Sequence, residues 1–268
     1  MARTPEKTYR IGLALSGGGA KGFAHAGVLK ALEAYGIVPD VIAGTSAGAI
    51  VGALYADGFS PEEVLRFFDS ASFSRFAKLT HRKGGLFRID EFKKALKEAL
   101  HAQTFEELRL PLYINATDMH HARNVYFSQG PLLDVIIASC SLPILFEPIV
   151  LDDVAYCDGG IIRNFPVDIL RHQCTYVIGV NLGAMDMEEK SNLSLIDVAQ
   201  RTYSIMRKAN VLTAKEDCDI LIEPDDLDHF GLFDAENSKK IYQAGYDEAM
   251  RVLQASPDFI QHMLHGNV

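Results

Sequence analysis

A chain that carries Gly44-Thr45-Ser46-Ala47-Gly48 between the apolar run Val41-Ile42-Ala43 and the small, helix-compatible stretch Ala47 to Ala56 has few folds open to it. The apolar run reads as a buried strand and the stretch after it as a helix, so Ser46 falls on a strand-to-helix turn. Glycines two places either side let the strand and the helix crowd together. A G-x-S-x-G in that setting holds its serine on a tight, strained turn with the hydroxyl exposed. The next amide, on Ala47, lies at a helix N-terminus and can stabilise developing negative charge. The same five residues would also serve as a plain small-residue turn; the flanking strand and helix favour the first reading.

The rest of the chain builds a frame around that turn. Ile11 to Leu15 is an apolar run ending in Ser16-Gly17-Gly18-Gly19-Ala20-Lys21-Gly22, after which Phe23 to Tyr35 carries helical spacing. With Val41 to Gly44 this predicts a βαβ unit with a right-handed crossover and adjacent parallel strands. Ser60-Pro61-Glu62-Glu63 is a helix start, serine at the cap and proline at the first position. Asp90 is expected to cap a helix through His101, and Thr104 with Glu107 has capping-box spacing. Further strands are expected at Leu112 to Ala116, Asn124 to Ser128, Ile149 to Leu151, Val154 to Tyr156, Tyr176 to Val180 and Asp219 to Ile222. Helices are expected at Leu132 to Ser139, Leu193 to Leu212 and Glu236 to Leu253. No repeat or linker divides the 268 residues, so the expectation is one α/β domain over 1–268.

Composition narrows the partners. The formal net charge of −9 opposes general attraction to nucleic acid or anionic lipid, and only a local patch could reverse it. Four cysteines, at 140, 157, 174 and 218, form neither a C-x-x-C pair nor a zinc-ligand cluster, so no metal is expected. No leader is apparent, and no apolar run approaches the roughly 18 residues of a membrane span. A cytoplasmic location is the expectation that follows.

Gly17 to Gly22 also satisfies G-x-G-x-x-G after a strand. A dinucleotide fold would put an acid at the end of the second strand, where this chain has Gly44-Thr45-Ser46. The phosphate-loop pattern fails as well, because Lys21 precedes a glycine. Consecutive glycine amides at a helix N-terminus instead make an anion nest, and on a parallel sheet that nest lies beside Ser46. A serine needs a base. Of nine histidines, none is set in a frame that fixes its ring, whereas Asp158 follows a strand and is pinned by Gly159-Gly160. Asp158 is the candidate base, and burial would have to raise it from an ordinary pKa of about 3.9.

These three blocks, Gly17 to Gly22, Gly44 to Gly48 and Asp158 to Gly160, resemble in order the motifs of the patatin-like phospholipase family. Ala138-Ser139-Cys140-Ser141-Leu142-Pro143 resembles its proline-containing block. The likeness covers roughly residues 10 to 170, and about 171 to 268 resembles the C-terminal part of short bacterial members more loosely. The resemblance implies a three-layer α/β/α fold with a mostly parallel sheet and a serine acyl hydrolase with a Ser/Asp dyad. It implies Ser46 as nucleophile, Asp158 as base and the amides of Gly17, Gly18 and Gly19, with Lys21, as oxyanion hole. Gly44, Ala47, Gly48, Gly159 and Gly160 would support the two loops. A lipid or fatty-acyl ester is the implied substrate, with no cofactor.

Two other readings stand beside this one. They are a Ser46, Asp158, His229 triad, and an adaptor that keeps the fold but acts by binding a partner. From Arg75 to Lys97 eight basic residues face Asp90 and Glu91, a local +6 interleaved with phenylalanines and leucines. This segment is expected to be a flap that touches anionic headgroups, hinged at Gly84-Gly85, giving peripheral membrane contact. An amphipathic helix pair with a solvated basic face explains the same pattern. The sequence is silent on oligomeric state.

Overall fold

A computed structural model describes residues 8–70, 89–183, 192–227, 230 and 235–266. Their centre is a mixed sheet in the order β5-β6-β3-β2-β1-β7-β8, with β4 also on β3. The strands are β1 (Tyr9–Leu15), β2 (Val41–Gly44), β3 (Leu112–Asp118), β4 (Arg123–Phe127), β5 (Ile149–Leu151), β6 (Val154–Asp158), β7 (Cys174–Val180) and β8 (Ile220–Ile222). Five of them, β3-β2-β1-β7-β8, run parallel. The central strands carry near-continuous apolar sequence because helices cover both faces. These helices are α1 (Phe23–Ala34), α2 (Ala47–Ala56), α3 (Pro61–Ser70), α4 (Asp90–Ala99), α5 (Leu132–Cys140), α6 (Val167–Arg171), α7 (Leu195–Val211), α8 (Ser238–Gln254) and α9 (Pro257–His265).

The main core gathers Leu13 and Leu15 of β1, Ile42 of β2 and the inner faces of α1, α2, α5 and α8. A second core on the other sheet face holds Ala14, Val41 and Ala43 with Phe165, Leu170 and Val177. Small residues bring α1 and α8 into backbone contact: a Cβ on Gly27 would lie 2.0 Å from the Tyr242 carbonyl, and one on Gly245 would lie 2.2 Å from that of Ala24.

Beyond β3 the sheet turns antiparallel, and this places the site. The far edge of β3 pairs with β4 from Ile114 to Asp118. Its near edge is shared: β2 pairs with Leu112, Tyr113 and Ile114, and β6 takes over at Ala116, Thr117 and Asp118. Gly44 lies opposite Ile114 and Asp158 opposite Ala116, so the carboxyl ends of β2 and β6 meet head-on across Asn115. Two segments more than 100 residues apart thus deliver Ser46 and Asp158 to one point.

Several local expectations need correction. Asp90 opens α4 from inside, Ile89 being the cap residue. Thr104 and Glu107 frame one 3₁₀ turn with no side-chain cap, because the Glu107 carboxylate accepts from the Gln103 amide instead (2.7 Å). The expected serine cap at Ser60 is present, its Oγ accepting from the Glu63 amide at 3.3 Å, and the Glu63 carboxylate accepts in turn from the Ser60 amide at 2.8 Å. Helix α9 has no counterpart among the helices expected from the sequence. Of the expected Arg75–Lys97 flap, residues 75–88 lie outside the described residues. The rest belongs to α4, whose Phe92 and Leu96 are buried and whose Lys93 pairs with Asp134 at 2.6 Å.

Candidate active site

Ser46 sits between β2 and α2 with φ 52° and ψ −118°, a conformation L residues rarely adopt. Such a residue costs about 1–3 kcal/mol and persists only where its surroundings dictate it. Here they do. Its amide donates to Ser139 Oγ of α5 at 2.9 Å, and its carbonyl accepts from Ala49 and Ile50 at the start of α2. Glycine is required on both sides: a Cβ on Gly48 would lie 2.2 Å from the Leu15 carbonyl, and one on Gly44 would lie 2.4 Å from that of Gly48.

Asp158 ends β6 and is inaccessible to solvent. Its Oδ1 accepts from the Gly160 amide (2.7 Å) and the Tyr203 hydroxyl (2.9 Å), whereas Oδ2 has no hydrogen bond of ordinary geometry among the described residues. Burial raises its pKa from 3.8 to about 6; the Gly160 amide, the Ser46 and Tyr203 hydroxyls and the Arg207 charge pull the other way. The Ser46 hydroxyl is therefore close enough to favour the carboxylate, without yet forming a well-shaped bond to the oxygen left open. Loose catalytic bonds of this kind are usual in unliganded sites. Gly159 and Gly160 make room for the neighbours: Cβ atoms there would come within 2.6 Å of Asn115 Nδ2 and 2.4 Å of the Tyr203 hydroxyl.

Asn115, where the two strands meet, ties both loops together. It accepts from Thr45 Oγ1 (2.6 Å) and donates to the carbonyl of Arg163 (2.8 Å). The Cys140 thiol also faces the pair, and burial, with the Asp158 charge, pushes it well up. It is thus a neutral neighbour at neutral pH.

The glycine loop lies alongside, since Leu15 pairs with Gly44. Its amides are not equivalent. Gly17 N–H donates to the Asn164 carbonyl at 3.1 Å, so this amide, expected in the oxyanion hole, is already occupied. The amides of Gly18, Gly19 and Ala47 have no acceptor among the described residues. Gly17 contributes proximity instead, a Cβ there falling 3.3 Å from that of Ser46. Lys21 is wholly buried in the 3₁₀ turn that joins this loop to α1.

Three contributors went unread in the sequence. His25, just behind the glycine loop, is buried with Nε2 2.8 Å from the Ser16 carbonyl. A carbonyl only accepts, so Nε2 carries the proton, and burial lowers the ring to about 4. Its position three residues past Gly22, on the face that follows the loop, was the available signal. Tyr203 and Arg207 come from α7, and nothing local to them marks them. His229 lies outside the described residues. Among the described residues, no group of His, Cys, Asp or Glu could hold a metal, and no helix is long and apolar enough to cross a membrane.

A family model described as patatin-like phospholipase matches residues 13–171, more than half the chain. The chain belongs to the patatin-like phospholipase family. The match embraces Ser46, Asp158 and both glycine loops. A patatin-like phospholipase domain-containing protein of Caenorhabditis elegans is 33% identical over 198 residues, 68% of this chain and 14% of that protein. Lysophospholipase nte1 of Aspergillus fumigatus is 36% identical over 191 residues, 66% of this chain and 12% of the relative. Lysophospholipase NTE1 of Kluyveromyces lactis is 26% identical across 96% of this chain and 20% of its own length. This patatin-like chain therefore spans a fifth or less of the length of these curated relatives. VipD from Legionella pneumophila shares the fold, with a TM-score of 0.55 at 15% identity over 92% of this chain and 67% of VipD.

Proposed function

We propose that this patatin-like chain hydrolyses carboxylic esters of lipids through an acyl-enzyme on Ser46, with Asp158 as its base. The observation that carries the reading is the division of labour on one carboxylate: Oδ1 is held by two donors, and Oδ2 is open beside a strained serine. A pKa of about 6 leaves the acid mostly ionised at pH 7 yet far more basic than an ordinary aspartate.

In the first half-reaction Oδ2 takes the Ser46 proton while Oγ bonds to the ester carbonyl carbon. The negative charge moves to the carbonyl oxygen, facing the amides of Gly18, Gly19 and Ala47. Collapse breaks the bond to the alcohol, which leaves with the proton from Asp158. In the second, water loses a proton to Asp158, attacks the acyl carbon and releases the fatty acid, and the proton returns to Ser46. Each step conserves charge and needs no cofactor. The N-terminus of α2 favours the anion in both.

The names of the relatives support a lysophospholipid or phospholipid as the substrate class. Contact with an anionic bilayer through Arg75–Lys97 is part of the same proposal, and vesicle binding indifferent to charge reversal at Arg82 and Lys83 would remove that part. The main test is fatty-acid release from lysophospholipid and phospholipid micelles, with Ser46→Ala and Asp158→Asn as controls. Wild-type turnover with a loss of at least about 10³-fold in each variant is expected. Equal turnover in Ser46→Ala would exclude the mechanism.

A further inference from the structure

Arg207 is 2% exposed, and among the described residues it makes no ion pair. A buried guanidinium without a carboxylate partner is costly unless its donors are all used. Here the acceptors are uncharged. Nη2 donates to the carbonyls of Gly17 (2.6 Å) and Gly183 (3.0 Å), and Nε donates to Asn164 Oδ1 (3.0 Å). Its Cζ also lies over the Tyr203 ring, 5.6 Å from the centroid.

Two of these contacts bear on reacting groups. The Gly17–Gly18 peptide is trans, so its C=O and N–H point in opposite directions. Holding the Gly17 carbonyl toward Arg207 turns the Gly18 amide away from it. A Cβ on Gly17 would lie 3.3 Å from that of Ser46, so the loop packs against the serine. Ser16 Oγ (3.3 Å) and Asn164 Nδ2 (3.4 Å) also reach the Gly17 carbonyl, and the guanidinium contact at 2.6 Å is the shortest of the three. The guanidinium contact with Tyr203 steadies the ring whose hydroxyl occupies Asp158 Oδ1, leaving Oδ2 for the serine.

We infer that Arg207 is a positioning residue for the reaction: one side chain of α7 sets the peptide that offers the Gly18 amide and the ring that selects the basic oxygen of Asp158. This rests on the acyl-hydrolase reading. The guanidinium acts through its fork shape as well as its charge, so lysine is not equivalent.

The test compares wild type with Arg207→Met, Arg207→Lys and Tyr203→Phe. It uses nitrophenyl ester turnover and, separately, the pH dependence of thermal unfolding. The side chains facing Asp158 among the described residues are Ser46, Tyr203, Arg207, Cys140 and Cys157, and of these only Arg207 brings positive charge. Arg207→Met is expected to lower kcat about 100-fold with KM within roughly threefold, the scale of one lost oxyanion donor. It also moves the acid limb to higher pH. Arg207→Lys keeps the acid limb near its wild-type position but does not recover kcat.

A folded Arg207→Lys with wild-type kcat, or an Arg207→Met whose acid limb and kcat are both unchanged, overturns the inference. Should Arg207→Met fail to fold, the lysine variant decides by the first criterion. The unfolding arm reads the Asp158–Arg207 coupling without any turnover. A wild type inactive on every ester therefore removes the hydrolase reading, while an unshifted unfolding profile in Arg207→Met removes the coupling itself.

Discussion

Asp158 and His25 titrate in opposite senses across one pH range. Burial lifts Asp158 from 3.8 to about 6, so between these values the native state holds a proton that the unfolded chain has released. Its contribution to stability is greatest in acid and falls as pH rises to 6. His25 is lowered from 6.5 to about 4, so over nearly the same range the unfolded state binds the extra proton and stability rises with pH. The two trends largely offset each other in the wild type. Asp158→Asn removes only the first. It is expected to be more stable than wild type by up to about 3 kcal/mol above pH 7, at about 1.4 kcal/mol per pH unit, with the gain vanishing below pH 4. Urea midpoints across pH 4 to 8 measure this, and a gain independent of pH would contradict the raised carboxyl. The residue proposed as the base is thereby one that the fold would be steadier without.

At the scale of elements, the serine turn is a packing problem between β1, β2 and α2. A side chain on Gly48 meets the Leu15 backbone, which cannot swing aside, whereas Gly36 has nothing within 4 Å and only a positive φ of 70° to satisfy. Gly48→Ala is expected to cost about 3 kcal/mol by overpacking, and Gly36→Ala about 1 kcal/mol through its backbone conformation. Chemical denaturation orders the two, and a reversed order would contradict the packing argument. This turn was legible because strand, turn and helix are contiguous, so spacing alone reports the geometry. The capping at Thr104 was misread for the converse reason: the acid three residues on found another amide nearby, a choice that spacing does not record.

For the molecule as a whole, the decisive arrangement is non-local. The three motif blocks can be read in order along the chain, but their convergence depends on β6 running antiparallel into the edge of β3 that β2 vacates. No pattern within Val154–Asp158 states that direction. Likewise α7 is recognisable as a helix, yet which of its residues face Asp158 is fixed only once β7 lies beside β1 and Asn164 bridges Gly17 and Arg207. The family match ends at residue 171, so the contributions of α7 come from beyond it, whereas Asn164 lies within it. The central proposal is that Asp158 activates the Ser46 hydroxyl. The most direct measurement is intact-mass and peptide mapping after exposure to a fluorophosphonate, in wild type, Asp158→Asn and Ser46→Ala. A single adduct on Ser46 in wild type, forming at least about 100-fold more slowly in Asp158→Asn and absent in Ser46→Ala, is the predicted result. An adduct elsewhere, or one on Ser46 that forms at the same rate without the carboxylate, would contradict it.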